Sequence, residues 1–379
     1  MKKFLGMGML LLVLIGLAGC GRFENPNETY CTEGKVDGVF LCSRPWSVYF
    51  DTTVSLTLYV TEEDAYDIPV IFAEVEAILA RYHQWFDKYH LYDGVANVMT
   101  INQSGTAPTT VDPAFYDAIA FAVAASDDIV LGGVELFNPA LGPVLSIWHD
   151  ARESDLCAET GIGVFSCPIP SAEALAGPFN TDISDLVLDP VLHSVAFAKS
   201  GMSLDLGGFG KGYVSEVITD YLDTQNVTYI LNSGNSNIKT GGTNPNNDTG
   251  LFYVALTTPS LQPALPGSYY VFLQIQGDVS VVTSGTYQRF FRGATDNLVY
   301  HHIIDPRTNR PGGEAMAVTI ILEDGAKGDV YSTAIFLMTV DEGIAFVDAT
   351  VGLEAIWYLS DGTIRTSAGL DPFVYEWLD

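Results

Sequence analysis

The sequence predicts an α+β fold, a single mixed domain over 46–379 with a strand-rich C-terminal half. Apolar residues recur at both periods, alternating in some segments and spaced by three and four in others. Helix and strand patterns are mixed along the chain, and short strand runs crowd its second half. No repeat, low-complexity tract or clear linker divides 46–379, and 48% apolar composition supports a well-buried core.

The elements follow in order. Trp46 to Val60 reads as one strand, with Val48, Phe50, Val54, Leu56, Leu58 and Val60 mostly alternating. Ile71 to Tyr89 reads as a helix whose stripe, Ile71, Val75, Ile78, Tyr82, Trp85 and Tyr89, is core-like. A turn is expected at Asp93-Gly94. Asp112 caps a helix from Pro113 to about Ile129, with proline at its first position. Asn138 to Trp148, with two prolines, reads as loop, and Ala151 to Pro170 as a surface insertion. Leu186–Leu188 and Val195–Ala198 read as short strands. Val214, Val217, Ile218 and Leu222 mark a helix. Strands are expected at Tyr229–Leu231, Phe252–Thr257, Tyr270–Ile275, Ser280–Thr283, Tyr300–Ile304, Val318–Leu322 and Ala355–Leu359. A helix is expected over about Gly328 to Thr339.

The N-terminus reads as an export signal. Met1-Lys2-Lys3 is basic, and Phe4 to Leu17 is an apolar run too short for a comfortable membrane span. Leu17-Ala18-Gly19-Cys20 resembles a bacterial lipobox, which implies a signal over 1–19, a lipidated Cys20 and a tether over 20–45. Several acyl chains on one cysteine would hold the protein at an envelope membrane, facing the periplasm or exterior. In that oxidising setting the other four cysteines fall into two local pairs, Cys31–Cys42 and Cys157–Cys167, expected as disulfides. No Cys-x-x-Cys or paired histidine suggests zinc.

A formal net charge of −29 excludes nucleic acid as the expected partner, because phosphate backbones need a basic face. Any anionic ligand therefore needs local help from a lysine, a helix terminus or a cation.

The run Ser203-Leu204-Asp205-Leu206-Gly207-Gly208-Phe209-Gly210-Lys211-Gly212-Tyr213 offers that help. Bare backbone lets a ligand approach closely, and a helix N-terminus presents free N–H groups to an anion. A tight strand-to-helix turn would look the same. A Walker loop needs Ser or Thr after Gly-Lys, and here Gly212 follows Lys211. A Rossmann fingerprint needs an N-terminal βαβ context, and this loop lies mid-chain.

Three further polar clusters accompany it. Thr283-Ser284-Gly285-Thr286-Tyr287-Gln288-Arg289 is a strand ending in a hydroxyl-rich turn. Tyr300-His301-His302-Ile303-Ile304-Asp305-Pro306 places histidines at a strand end, of which at most one faces a site. Asp329 and Thr333, four apart on a helix, share one face and suit oxygen ligation of a hard cation. Alone, Asp329 also reads as a helix N-terminal acid, and Thr333 as a hydroxyl bonded to a carbonyl.

Together these segments resemble the ApbE family of FAD:protein FMN transferases. The matching stretches are Phe50-Asp51-Thr52, the Tyr89-to-Asn97 turn, Asn138-Pro139-Ala140-Leu141-Gly142-Pro143 before Trp148, Asp205 to Tyr213, Asn232-Ser233-Gly234, Thr283-Ser284-Gly285, His302-Ile303-Ile304-Asp305-Pro306 and Asp329-Val330-Tyr331-Ser332-Thr333-Ala334. They keep the family's order and cover nearly the whole mature chain.

The resemblance implies binding of FAD and Mg²⁺, transfer of FMN to a Thr or Ser hydroxyl of an exported acceptor protein, and release of AMP. It implies metal ligation by the Gly208 carbonyl, Asp329 and Thr333. It implies FAD contacts from Asp205 and Lys211, and flavin or adenine contacts from Phe50, Tyr89 and Ile303. His302, beside the expected phosphate site, is the candidate base, with Asp329 the other catalytic residue. The chain departs from the family at Gly210, where alanine is frequent, and at Asn235 and Asn309, where glycine is usual. The Cys157–Cys167 insertion is also outside the general pattern. Two other functions fit the same residues: a metal-dependent FAD pyrophosphatase yielding FMN and AMP, and a non-catalytic flavin-binding lipoprotein.

Overall fold

The computed structural model describes residues 30–61, 67–161, 163–261 and 268–378. The expected signal segment 1–19 and Cys20 lie outside the described residues. Among the described residues, no helix is long and apolar enough to cross a membrane.

The fold is α+β, as its patterning predicts. Its frame is a nine-stranded sheet, antiparallel at every pairing. In spatial order the strands are Cys31–Glu33, Val39–Tyr49, Thr52–Thr61, Thr228–Ser233, Asn237–Gly241, Val279–Gly285, Ala315–Leu322, Glu354–Leu359 and Ile364–Thr366. Alternation separates its two faces. Val54, Leu56, Leu58 and Val60 join the core under the helices, while Tyr59, Ile230 and Ile238 pack on the other side. That second side is covered by a three-stranded sheet ordered Phe252–Thr257, Tyr269–Ile275, Val374–Trp377.

The helices are α1 (Ile68–Phe86), α2 (Val98–Ser104), α3 (Pro113–Ser126), α4 (Gly142–Arg152), α5 (Ala172–Leu175), α6 (Gly210–Thr224), α7 (Gly325–Phe336) and α8 (Val340–Ala349). Asp112 caps α3 as expected, accepting the Ala114 N–H at 2.9 Å. Both disulfides are present, and Cys31 and Cys42 are paired across neighbouring strands.

Several boundaries differ from expectation. The single strand expected over Trp46 to Val60 is a hairpin turning at Phe50 and Asp51, which have φ of 55° and 52°. Such turns favour Asn-Gly, so Phe-Asp gives no turn signal, and the apolar alternation runs on through it. The tether expected over 20–45 gives way to paired strand from Cys31.

Helix α1 starts at Ile68, with Asp67 as its cap, and ends at Phe86. Asp87 ends it by accepting the N–H groups of Tyr89 and His90 at 2.7 and 3.1 Å. Tyr89 therefore leaves the apolar stripe and is 47% exposed. The loop expected over Asn138 to Trp148 contains the first two turns of α4, with Pro143 in the first. Proline is at home there because the N–H it lacks has no intrahelical partner. The strand expected over Tyr300–Ile304 breaks at His302-Ile303, leaving Val299–His301 and Ile304–Asp305. The expected surface insertion is a hairpin, Ala158–Gly161 with Val164–Cys167, joined in parallel to Phe290–Gly293, and Cys167 is buried.

Candidate functional site

The glycine loop is fixed before it meets a ligand. Asn102 of α2 clamps Leu204, accepting its N–H at 2.7 Å and donating to its carbonyl at 3.0 Å. The Asp205 N–H donates to the Pro139 carbonyl at 2.9 Å. The Asp205 carboxylate accepts the Gly207 N–H at 2.8 Å and pairs with the Lys88 ammonium at 2.7 Å. Asp205 thus shapes the loop as well as facing the cleft.

Helix α6 starts directly after the loop, and Phe209 supplies no side-chain cap. The cap comes from α7, where Asp329 Oδ2 accepts the Gly212 N–H at 2.7 Å. Asp329 was open to a reading as the N-terminal acid of its own helix; it serves the N-terminus of the neighbouring one. Its Oδ1 accepts from Asn237 Nδ2 at 3.2 Å. Burial pushes the Asp329 carboxyl above its ordinary pKa, opposed by the Lys211 charge and these hydrogen bonds. A Cβ on Gly212 would lie 2.1 Å from the Gly325 carbonyl oxygen, so the starts of α6 and α7 meet only because this residue is bare.

One cleft of about 570 Å³ collects these groups. Its size is that of a small-molecule site, roughly 300–1,000 Å³. Phe50, Tyr89, Asp205, Gly208 and Lys211 line it, and so do His302, Ile303, Asp329 and Thr333. All nine residues expected to hold flavin or metal, or to act in catalysis, are therefore brought together.

Phe50 stands at the strained hairpin turn, its N–H donating to His83 Nδ1 at 3.3 Å. Tyr89 stacks on His149, with ring centroids 4.7 Å apart. Ile303 is buried in the wall. Lys211 forms no ion pair among the described residues, which leaves its charge to the cleft.

His302 carries two contacts with one partner. Its backbone N–H and its ring Nδ1 both donate to the Arg289 carbonyl, each at 3.2 Å. A carbonyl only accepts, so Nδ1 bears the hydrogen and Nε2 of the neutral ring keeps its lone pair. The ring is open to the cleft yet walled by protein. That confinement, followed by the nearby charges of Arg289, Lys211 and Arg152, holds its pKa down at about 3.

The carbonyl of Gly208, the Asp329 carboxylate and the Thr333 hydroxyl are oxygen donors of the kind a hard divalent cation takes. The buried, desolvated Asp329 fits such an ion, because a bound cation relieves its isolation. Beside it, Asn237 Oδ1 is buried with no hydrogen-bond partner. No group of three or more His, Cys, Asp or Glu side chains able to hold a metal exists among the described residues.

Sequence patterning gave no role to Lys88, His149 or Arg152, and it named Arg289 only as the end of a hydroxyl-rich turn; all four line the cleft. A signal existed: with 17 Lys and Arg against 46 Asp and Glu, each cation is scarce enough to need a purpose. His149 was hidden because the start of α4 read as loop.

The ApbE family model matches residues 50–357. An FAD:protein FMN transferase of Klebsiella pneumoniae (strain 342) is 31% identical over 306 residues, spanning 79% of this chain and 87% of that protein. One from Treponema pallidum (strain Nichols) is 26% identical over 381 residues, spanning 96% and 93%. The crystal structure of the ApbE protein from Thermotoga maritima superposes with a TM-score of 0.72 at 23% identity, covering 89% of this chain and all of that one. The Pseudomonas stutzeri flavinyl transferase ApbE, apo form, gives 0.69 at 21% identity, covering 89% and 98%.

Proposed function

The chain belongs to the ApbE family, and we propose that it transfers the FMN half of FAD to a Thr or Ser hydroxyl of an exported protein, releasing AMP. The carrying observation is the convergence of all nine motif-derived residues, from segments far apart in sequence, on one cleft.

The acceptor Oγ attacks the flavin-side phosphorus of the pyrophosphate. A phosphoester bond forms, the bond to the bridging oxygen breaks, and AMP departs with that oxygen and its electron pair. The hydroxyl proton goes to Nε2 of His302, which the Arg289 carbonyl holds in the accepting tautomer; its pKa, held down by burial and nearby cations, rises when the pyrophosphate of FAD brings negative charge beside it. Lys211 faces the charge that grows on the phosphate oxygens. Gly207 and Gly208 let the pyrophosphate approach the backbone at the start of α6. Phe50, Tyr89 and Ile303 supply apolar surface for the ring systems. Gly208, Asp329 and Thr333 would hold Mg²⁺, which when bound neutralises pyrophosphate charge. Ahead of the domain, the lipobox at Cys20 supports attachment to a membrane of the bacterial envelope.

Incubation with FAD and Mg²⁺, with and without a threonine-bearing acceptor domain, tests the reading. Flavin that stays on the acceptor through denaturation is the expected result. Free FMN formed equally with or without acceptor would instead make the enzyme a pyrophosphatase. The variant His302→Ala is expected to lose roughly 10²–10⁴-fold in kcat with FAD affinity kept, and an unchanged rate would remove His302 as the base.

A further inference from the structure

A second cleft of about 690 Å³ adjoins the first. The two share nine lining residues, among them Phe50, Asp51, Lys211, Arg289 and His302, so they meet beside the candidate base and the pyrophosphate lysine. Beyond this neck the second cleft runs between the nine-stranded sheet and the small three-stranded one. Ile230, Ile238 and Val281 form its floor.

Its far wall has a particular character. Tyr253, Val254, Ala255, Leu256 and Thr257 line it in unbroken succession. A strand showing one face would contribute every second residue. Five in a row means that the edge of the strand faces the space. Phe252–Thr257 is the edge strand of its sheet, and among the described residues its outer side pairs with no other strand. A free edge is a template for one more strand.

The lining special to this second cleft contains no Asp, Glu, Lys, Arg or His; every charged group touching it belongs to the shared neck. In a chain of net charge −29 that neutrality is selective. It does not suit a nucleotide phosphate. It suits an uncharged extended polypeptide, whose backbone pairs with the edge while small side chains fill the floor.

We infer that this groove docks the acceptor polypeptide as an added strand along Phe252–Thr257 and delivers its hydroxyl through the neck to the FAD cleft. The inference rests on the transferase reading, whose reaction needs a second substrate to reach the pyrophosphate from a side the flavin does not fill.

The test is a fluorescence-anisotropy titration of the full chain with a labelled, uncharged peptide of about ten residues carrying one threonine, long enough to span the edge at ~3.3 Å per residue. Ala255→Trp crowds the edge and Tyr269→Ala removes part of the wall; neither residue lines the FAD cleft. The wild type is expected to bind the peptide, and each variant to bind it about tenfold more weakly or worse, with FAD affinity within about twofold and melting temperature retained. No binding by the wild type, or equal binding by both variants, overturns the proposal. Weakened FAD binding would assign the groove to FAD and also overturn it, as would a wild-type dimer in light scattering that Ala255→Trp dissolves. A peptide that binds and responds to the variants but never receives flavin would leave the groove standing and sink the transferase reading.

Discussion

Single residues explain why this chain tolerates its departures from the family pattern. Asn235 and Asn309, where the family resemblance leads one to expect glycine, have φ of 58°. Asparagine is the side chain that best accepts this left-handed backbone, so the turns survive. At Gly210 the usual alanine would put a Cβ 2.9 Å from the Phe86 ring, so the smaller residue matches this chain's own aromatic packing. His301, next to the candidate base, shares its lowered pKa but has a different neighbour. Its ring packs edge-on to Phe336, and burial pushes its pKa down to about 4. A histidine whose folded pKa lies below its unfolded value near 6.5 favours folding above 6.5, and that contribution is lost as pH falls toward 4. The lost stability at pH 4 is up to about 3 kcal/mol for this group. Urea unfolding of wild type and His301→Phe between pH 7 and 4 checks it. The variant should lose less stability over that interval, and parallel curves would show that His301 does not drive the acid loss.

At the scale of elements, the site depends on how closely α6 and α7 approach. Gly212→Ala would force a Cβ into the Gly325 carbonyl, and backbone has no rotamer by which to yield. The expected cost is roughly 1–3 kcal/mol in urea unfolding. The Gly212 hydrogen bond to Asp329 should also lengthen, so calorimetric Mg²⁺ affinity in the presence of FAD should fall together with transfer rate. Unchanged stability and affinity would mean that the contact is not constraining. Much of this arrangement was legible in the sequence, because Asp205 to Tyr213 and Asp329 to Thr333 are local patterns with a local physical meaning. The service that Asp329 gives to α6 was not legible, since it links residues brought together only by the fold. Local signals also failed where one pattern imitates another. Pro143 marks a helix start but resembled a loop residue, and Phe50-Asp51 makes a hairpin without Asn or Gly. The strand order was hidden for a further reason. Thr52–Thr61 pairs with Thr228–Ser233 across a long stretch of chain, and nothing in either segment names the other.

Across the whole molecule, a strongly acidic chain gathers Lys88, Arg152, Lys211 and Arg289 around one cleft and still leaves the cation donors few. Lys88 is paired with Asp205 and Arg152 with Glu153, so much of that positive charge is already answered. The proposed Mg²⁺ ligands, Asp329, Thr333 and Gly208, are one carboxylate, one hydroxyl and one carbonyl. An ion that prefers six oxygens and gives up water reluctantly binds such a set weakly unless substrate phosphates complete the shell. FAD in turn meets less repulsion from Asp329 once a cation is present, the Asp205 charge being already answered by Lys88. The two ligands should therefore bind cooperatively, each raising the other's affinity by the same factor. Thermal unfolding reads this directly, because a ligand at a hundredfold excess over its Kd stabilises by about 2.7 kcal/mol. After EDTA treatment, Mg²⁺ alone should move the melting temperature little and FAD alone modestly. Both together should move it by more than the sum, and Asp329→Asn should abolish the excess while leaving most of the FAD-only shift. Strictly additive shifts would mean that the cation and the pyrophosphate do not share a site, and the roles given to Gly208, Asp329 and Thr333 would have to be withdrawn.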